Sequence, residues 1–176
     1  YRFSLNWARL LPEGTGRVNE KGVSLYRDMI LEMKKNGITP YITMYHWELP
    51  QALQDRGGWL NEEIIEWFGE YAKVVAENFS DLCEYFITLN EPQCFVGLGY
   101  LRGIHAPGKK LPLKDTFQIT HNALRAHGQA VINLRKYAKQ PVQIGYAPTC
   151  GMAYPASNDP ADVEAARRVL FSFYNP

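Results

Sequence analysis

Residues 87–92 read Ile-Thr-Leu-Asn-Glu-Pro, an apolar, β-branched run that stops on an amide, a carboxylate and a proline. Asn90 and Glu91 are costly to bury unless they are paired, and Pro92 cannot continue a ladder of hydrogen bonds. The pair therefore belongs at the mouth of a strand and not in a core. A carboxyl group there serves as a general acid when its surroundings raise its pKa. Asn6-Trp7, His46-Trp47 and Thr149-Cys150 also stand at the ends of strand-like runs. Amide, imidazole and indole nitrogens bond hydroxyl groups, and indole faces lie against C–H surfaces. With the Arg2 guanidinium, these groups suit a neutral, polyhydroxylated ligand such as a sugar. Arg2 sits inside a strand, where an unpaired guanidinium is costly, so a carboxylate partner is expected for it.

The elements that must position these residues follow from periodicity. Strand-like segments occupy 1–7, 39–47, 84–92 and 142–150. A helical pattern runs from about Asn19 to Asn36, with Tyr26, Met29, Ile30 and Met33 on one face and Gly37 at the C-terminal cap. A second runs from about Asn61 to Asn78, with Ile64, Trp67, Phe68, Tyr71, Val74 and Val75 as its stripe and Asn61 as its N-cap. A third is expected from Asp115, with Gln118 as capping-box partner and Leu124, Val131 and Leu134 on its apolar side. A fourth begins at Asp159-Pro160, a cap followed by proline at the first helical position. Alternating strands and helices predict βαβ units and a parallel sheet. No Gly-x-Gly-x-x-Gly turn follows a strand, which disfavours a dinucleotide-binding sheet. Alternation in the first strand puts Arg2, Ser4 and Asn6 on one face and Tyr1, Phe3, Leu5 and Trp7 on the other. That pattern fits a (β/α)8 barrel strand, whose inner face turns polar near an active site.

Composition sets the remaining bounds. A net charge of +1 over 176 residues argues against a nucleic-acid binder. No apolar run approaches the ~20 residues of a membrane span. Cys83, Cys94 and Cys150 are scattered, with no CxxC spacing, so neither a disulfide framework nor a metal site is expected, and a reducing, cytoplasmic compartment is favoured. The chain opens on Tyr1 in mid-strand, so an address preceding it is not read from these residues.

Five motifs, "YRFSLNWARLLP", "YHWELPQAL", "GGW", "TLNEP" and "GYLRGIHAPG", stand in one order along the chain. In that order and spacing the sequence resembles glycoside hydrolase family 1, the β-glucosidase family. The resemblance implies a (β/α)8 barrel and a retaining double displacement by two glutamates, with no metal, nucleotide or organic cofactor. Glu91 matches the acid/base, and Asn90 the residue that bonds the sugar 2-hydroxyl. His46 and Trp47 match residues at the 3-hydroxyl. Arg2 matches the arginine that positions and ionises the nucleophile. The family carries that nucleophile in a Thr-Glu-Asn-Gly motif after its seventh strand, which this sequence lacks. Residues 1–176 are therefore expected to form a partial barrel, the second to fifth βα units, without the N-terminal strand and the C-terminal half. Asn6 and Leu89 replace the family's usual serine and phenylalanine. Trp47 and Pro92, which enzymes for 6-phosphorylated sugars usually lack, favour an unphosphorylated β-glucoside or oligosaccharide as partner.

Plainer readings stand beside these. His105, His121 and His127 are expected to be structural histidines in the core. Trp67 and Phe68 belong to a helical stripe, and Trp59 either packs its loop or touches ligand. Glu48 is expected to be a supporting loop residue. Two other functions are open: a different barrel glycosidase whose fourth strand ends in Asn-Glu, and an inactive glycan-binding relative that lacks one glutamate. A polypeptide of these residues alone is expected to self-associate through open strand edges and to be inactive.

Overall fold

The computed structural model describes residues 1–149 and 151–171. Cys150 and the final run from Ser172 lie outside the described residues, and the last described strand ends at Ala147, two residues short of Thr149. In chain order the elements are β1 (Arg2–Ser4), α1 (Trp7–Leu10), α2 (Glu20–Lys35), β2 (Tyr41–Tyr45), α3 (Gln51–Asp55), a 3-10 turn (Gly58–Leu60) and α4 (Ile64–Phe79). Then follow β3 (Tyr85–Asn90), α5 (Pro92–Cys94), a π-helical turn (Phe95–Leu101), α6 (Leu113–Tyr137), β4 (Gln143–Ala147) and α7 (Pro160–Leu170). The strands form one parallel sheet in the order β1-β2-β3-β4. Four parallel strands in sequence order with intervening helices match a segment of a (β/α) barrel.

Local chemistry explains most boundaries. α2 begins with Glu20 and ends with Lys34 and Lys35, charges that complement its dipole. Gly37 follows at φ 71°, a conformation glycine adopts without a Cβ penalty, and Ile38 N–H returns to the Met33 carbonyl. The whole stripe expected in α4 is buried. Asn61 caps the turn that leads into it, its side chain accepting from Glu63 N–H at 3.0 Å. Asp159 caps α7 as expected, accepting from Ala161 N–H at 2.8 Å.

α6 departs from expectation. It starts at Leu113 after Pro112, and Gln118 bonds Asn122 one turn on, at 2.9 Å, with no capping box. Its buried residues are Thr116, Ile119, Asn122, Ala123, Ala126, Ala130 and Leu134, while Leu124 is 52% exposed. Small residues face inward because α6 packs closely on α4. Asn133 donates to the Gly69 carbonyl at 2.8 Å, and a Cβ on Gly69 would meet Gln129 Cγ at 2.8 Å.

An aromatic cluster under the C-terminal strand ends forms the floor of the site. Trp7 stacks on Tyr71 at 4.8 Å, and Tyr45 meets Trp59 and Phe95 edge-on at 5.2 and 5.3 Å. Trp59 is fully buried and donates to the Tyr45 hydroxyl at 3.1 Å, so it packs its loop. Burial pushes the Tyr45 phenol far above its ordinary pKa and the Tyr100 phenol up to about 12, which keeps both neutral as hydrogen-bonding struts.

Candidate active site

β3 delivers the central pair. It is buried from Thr88 to its end at Asn90, which is only 3% exposed. A register shift between Ile87 and Asn90 breaks the ladder with β4 just before the pair. Glu91 then turns the chain at φ 40°, its N–H held by the Ala147 carbonyl at 2.7 Å and its carbonyl by Cys94 N–H at 2.8 Å. Pro92 occupies the first position of α5, where its missing N–H costs nothing. Glu91 and Trp47, at φ 82°, are the non-glycine residues with positive φ among the described residues. Such backbone costs on the order of 1–3 kcal/mol per residue and persists where the surroundings over-determine it. Both instances fall in the same cluster of side chains.

That cluster is a continuous polar chain. Arg2 Nε donates to Thr43 Oγ1 at 2.7 Å, and Arg2 Nη2 donates to Asn90 Oδ1. Asn90 Nδ2 lies 3.1 Å from His46 Nε2, and His46 Nδ1 lies 3.2 Å from Ser4 Oγ. Trp47 Nε1 donates to the Asn90 carbonyl at 2.9 Å. The nearly buried Asn90 thus has its side-chain oxygen, side-chain nitrogen and main-chain oxygen all paired, which offsets its desolvation. Arg2, from β1, and the strand-end residues His46, Trp47 and Asn90, all named from the sequence, are brought together, with Glu91 next in the chain.

Other expectations change. Asn6-Trp7 does not reach the rim. Asn6 Oδ1 accepts from Arg9 N–H and caps α1, and Trp7 is fully buried with its indole N–H on the Gly14 carbonyl. Among the described residues Arg2 pairs with a hydroxyl and an amide; it is exposed, and the carboxylate expected for it belongs to the nucleophile outside residues 1–176. His105 and His121 are exposed and therefore not core histidines. His105 packs on Trp47 with ring centroids 5.6 Å apart. His127 is half-buried against Thr88 Oγ1 at 2.7 Å, and burial lowers its pKa. Glu48 is exposed in the loop after Trp47.

The residues missed by sequence reasoning are Thr43 and His105. Thr43 is a fully buried hydroxyl opposite Ser4 in the β1–β2 register, a polar position that a strand alignment exposes. His105 carried no local signal, because a long loop returns it to Trp47. A cavity of about 80 Å3 beside Trp47 is walled in part by Tyr45, Leu49, Gln54, Phe95 and Tyr100. Burial first, and the Glu91 carboxylate second, push the Cys94 thiol up, so it stays protonated and a poor nucleophile. Among the described residues no group of three or more His, Cys, Asp or Glu side chains is arranged to hold a metal ion.

The cluster offers hydrogen-bond donors, an imidazole, an indole face and one carboxylate at the mouth of a parallel sheet. The pattern that defines glycosyl hydrolase family 1 matches residues 1–175. β-Glucosidase A of Thermotoga maritima is 48% identical over 167 residues, which is 95% of this chain and 37% of that protein. The cytosolic β-glucosidase of Cavia porcellus is 39% identical over 181 residues, covering 99% of this chain and 39% of that protein. The structure of the Thermotoga maritima β-glucosidase in complex with deoxynojirimycin superposes with a TM-score of 0.91 at 46% identity, over 99% of this chain and 39% of that one. The chain thus spans between 37% and 39% of the length of these relatives. Pattern, sequence and backbone agree over nearly all of its residues, and the chain belongs to glycosyl hydrolase family 1.

Proposed function

We propose that these residues are the acid/base side of a retaining β-glycosidase acting on unphosphorylated β-glucosides or short β-linked oligosaccharides. The observation that carries this reading is Glu91, held at positive φ directly beyond the Asn90–His46–Arg2 network. In the first step the Glu91 carboxyl gives its proton to the glycosidic oxygen as the bond from that oxygen to C1 breaks. A glutamate carboxylate from outside residues 1–176 bonds to C1. In the second step Glu91, now a carboxylate, takes a proton from water as the water oxygen bonds to C1 and the glutamate leaves. Asn90 would bond the 2-hydroxyl, and His46 and Trp47 the 3-hydroxyl region. Arg2, exposed beside Asn90, would meet the nucleophile glutamate and favour its ionised form. The four strands would be half of a (β/α)8 barrel. No cofactor takes part in these steps.

The stereochemistry of the first product tests this. Proton NMR of a β-glucoside hydrolysed by the complete protein should show the β-anomer of glucose appearing before mutarotation. The α-anomer appearing first would exclude a double displacement.

A reducing, cytoplasmic setting is proposed with it, because the Cys83 and Cys94 thiols are free. Recovery of the protein from a secreted fraction would contradict that setting.

A further inference from the structure

The polar chain beneath Glu91 has a direction. A guanidinium only donates hydrogen bonds, whatever the pH. Arg2 donates through Nη2 to the Asn90 side chain, so the Asn90 oxygen must face Arg2. The Asn90 NH2 group is then the end that faces His46 Nε2 at 3.1 Å. An NH2 group donates and does not accept, so His46 Nε2 must carry a lone pair. In a neutral imidazole the proton then resides on Nδ1. Ser4 Oγ lies 3.2 Å from that nitrogen and accepts from it. Thr43 Oγ1 accepts from Arg2 Nε at 2.7 Å, which fixes the guanidinium plane from which the sequence of bonds begins.

We propose that Ser4, directly, and Thr43, through Arg2 and Asn90, are positioning residues that lock His46 in the Nδ1–H tautomer. Every bond in the chain points away from the guanidinium or accepts what the preceding group requires. Thr43 is fully buried between β1 and β3, where a hydroxyl without a partner is costly, so its bond to Arg2 is not readily exchanged for water. The tautomer itself needs no assumption about substrate. Its consequence rests on the β-glycosidase reading: a sugar hydroxyl that reaches His46 Nε2 must donate its proton there, displacing Asn90 from the one lone pair of that nitrogen. Asn90, whose NH2 has a second hydrogen, presents a donor. The site thus distinguishes hydroxyls by the direction of their hydrogen bonds as well as by their position.

The test is nitrogen-15 NMR of the imidazoles in the complete, histidine-labelled protein, in alkaline buffer where imidazoles are neutral. His46 is assigned by the loss of its signals in His46→Gln. The expected result is a protonated Nδ1 and an unprotonated Nε2. Ser4→Ala should shift population toward the Nε2–H form, and Ser4→Thr, which keeps a hydroxyl, should restore the original pattern. Asn90→Asp replaces the donor by an acceptor of similar shape and should move the proton to Nε2. An Nε2–H tautomer in the unaltered protein overturns the proposal. So does an unchanged Nδ1–H pattern in both Ser4→Ala and Asn90→Asp. Catalytic activity is not needed for any of these readings, so an inactive protein with the expected tautomer would count against the glycosidase reading alone.

Discussion

Asn90→Ala separates the structural from the catalytic part played by the network. Its structural cost follows from the partners it abandons. The bond from Arg2 is charge-assisted, a class that contributes about 1.5–3 kcal/mol when buried. Arg2 is exposed and keeps Thr43, so water replaces much of that contribution and about 1 kcal/mol is lost. The contact with His46 adds about 1 kcal/mol, for a total near 2 kcal/mol. The Trp47 bond goes to the Asn90 main-chain carbonyl and survives truncation. The catalytic cost is larger, because bonds to the sugar 2-hydroxyl strengthen in the oxocarbenium-like transition state and supply several kcal/mol. About 3 kcal/mol corresponds to a loss on the order of a hundredfold in kcat/KM. The assay is a double cycle in the complete protein, with an aryl β-glucoside and its 2-deoxy analogue. The unaltered protein should lose about a hundredfold on the 2-deoxy substrate, and Asn90→Ala should show little further discrimination. Equal 2-deoxy penalties in both proteins would refute the assignment of Asn90 to the 2-hydroxyl. Only a stability effect would then remain.

Two further outcomes are expected. Asp81 pairs bidentately with Arg27 at 2.7 and 2.8 Å, tying α2 to the loop before β3. Arg27 holds the Asp81 carboxyl below its ordinary value of 3.8, so the stabilisation is present above pH ~4 and is lost as pH falls through the lowered folded value. Asp81→Asn should therefore cost about 1 kcal/mol in denaturant unfolding at neutral pH, with the difference vanishing in acid; a constant difference across that range would show that the ion pair is not its source. Separately, a polypeptide of residues 1–176 exposes the outer edges of β1 and β4, which pair with no strand among the described residues. It should run as dimers or larger species in analytical ultracentrifugation and leave aryl β-glucosides intact, and a monodisperse, active monomer would contradict this.

Much of this arrangement was legible in the residues themselves, and the exceptions have physical reasons. The strands announced themselves as apolar, strand-like runs, and the α4 stripe repeats with helical spacing because one face meets the core. The inner side of α6 is hard to read because three of its seven buried residues are alanine and two, Thr116 and Asn122, are polar. Gly69 of α4 is met by Gln129 and Asn133 of α6, and the large apolar Leu124 is exposed. Asp115 and Gln118 have capping-box spacing, yet the helix already begins at Leu113, after Pro112. Asn6 and Trp7 were expected at the rim by extending β1, but the strand ends at Ser4 and Asn6 caps the next helix. The grouping of Arg2, His46, Trp47 and Asn90 was legible because polar side chains within strands or at their ends have few structural reasons to be there. The bond directions that join them depend on three-dimensional register. The contact of His105 with Trp47 depends on a loop whose return path no periodicity encodes.

The measurement that tests the central claim most directly is the leaving-group dependence of Glu91→Gln in the complete protein. Glutamine preserves the shape of the side chain and cannot donate a carboxylic proton. The account predicts a loss of kcat/KM of about 10²–10⁴ for β-glucosides with poor leaving groups such as alkyl alcohols, and a much smaller loss for an activated dinitrophenyl glucoside that needs no protonation. Equal losses for both substrates would contradict the assignment of Glu91 as the acid that releases the aglycone.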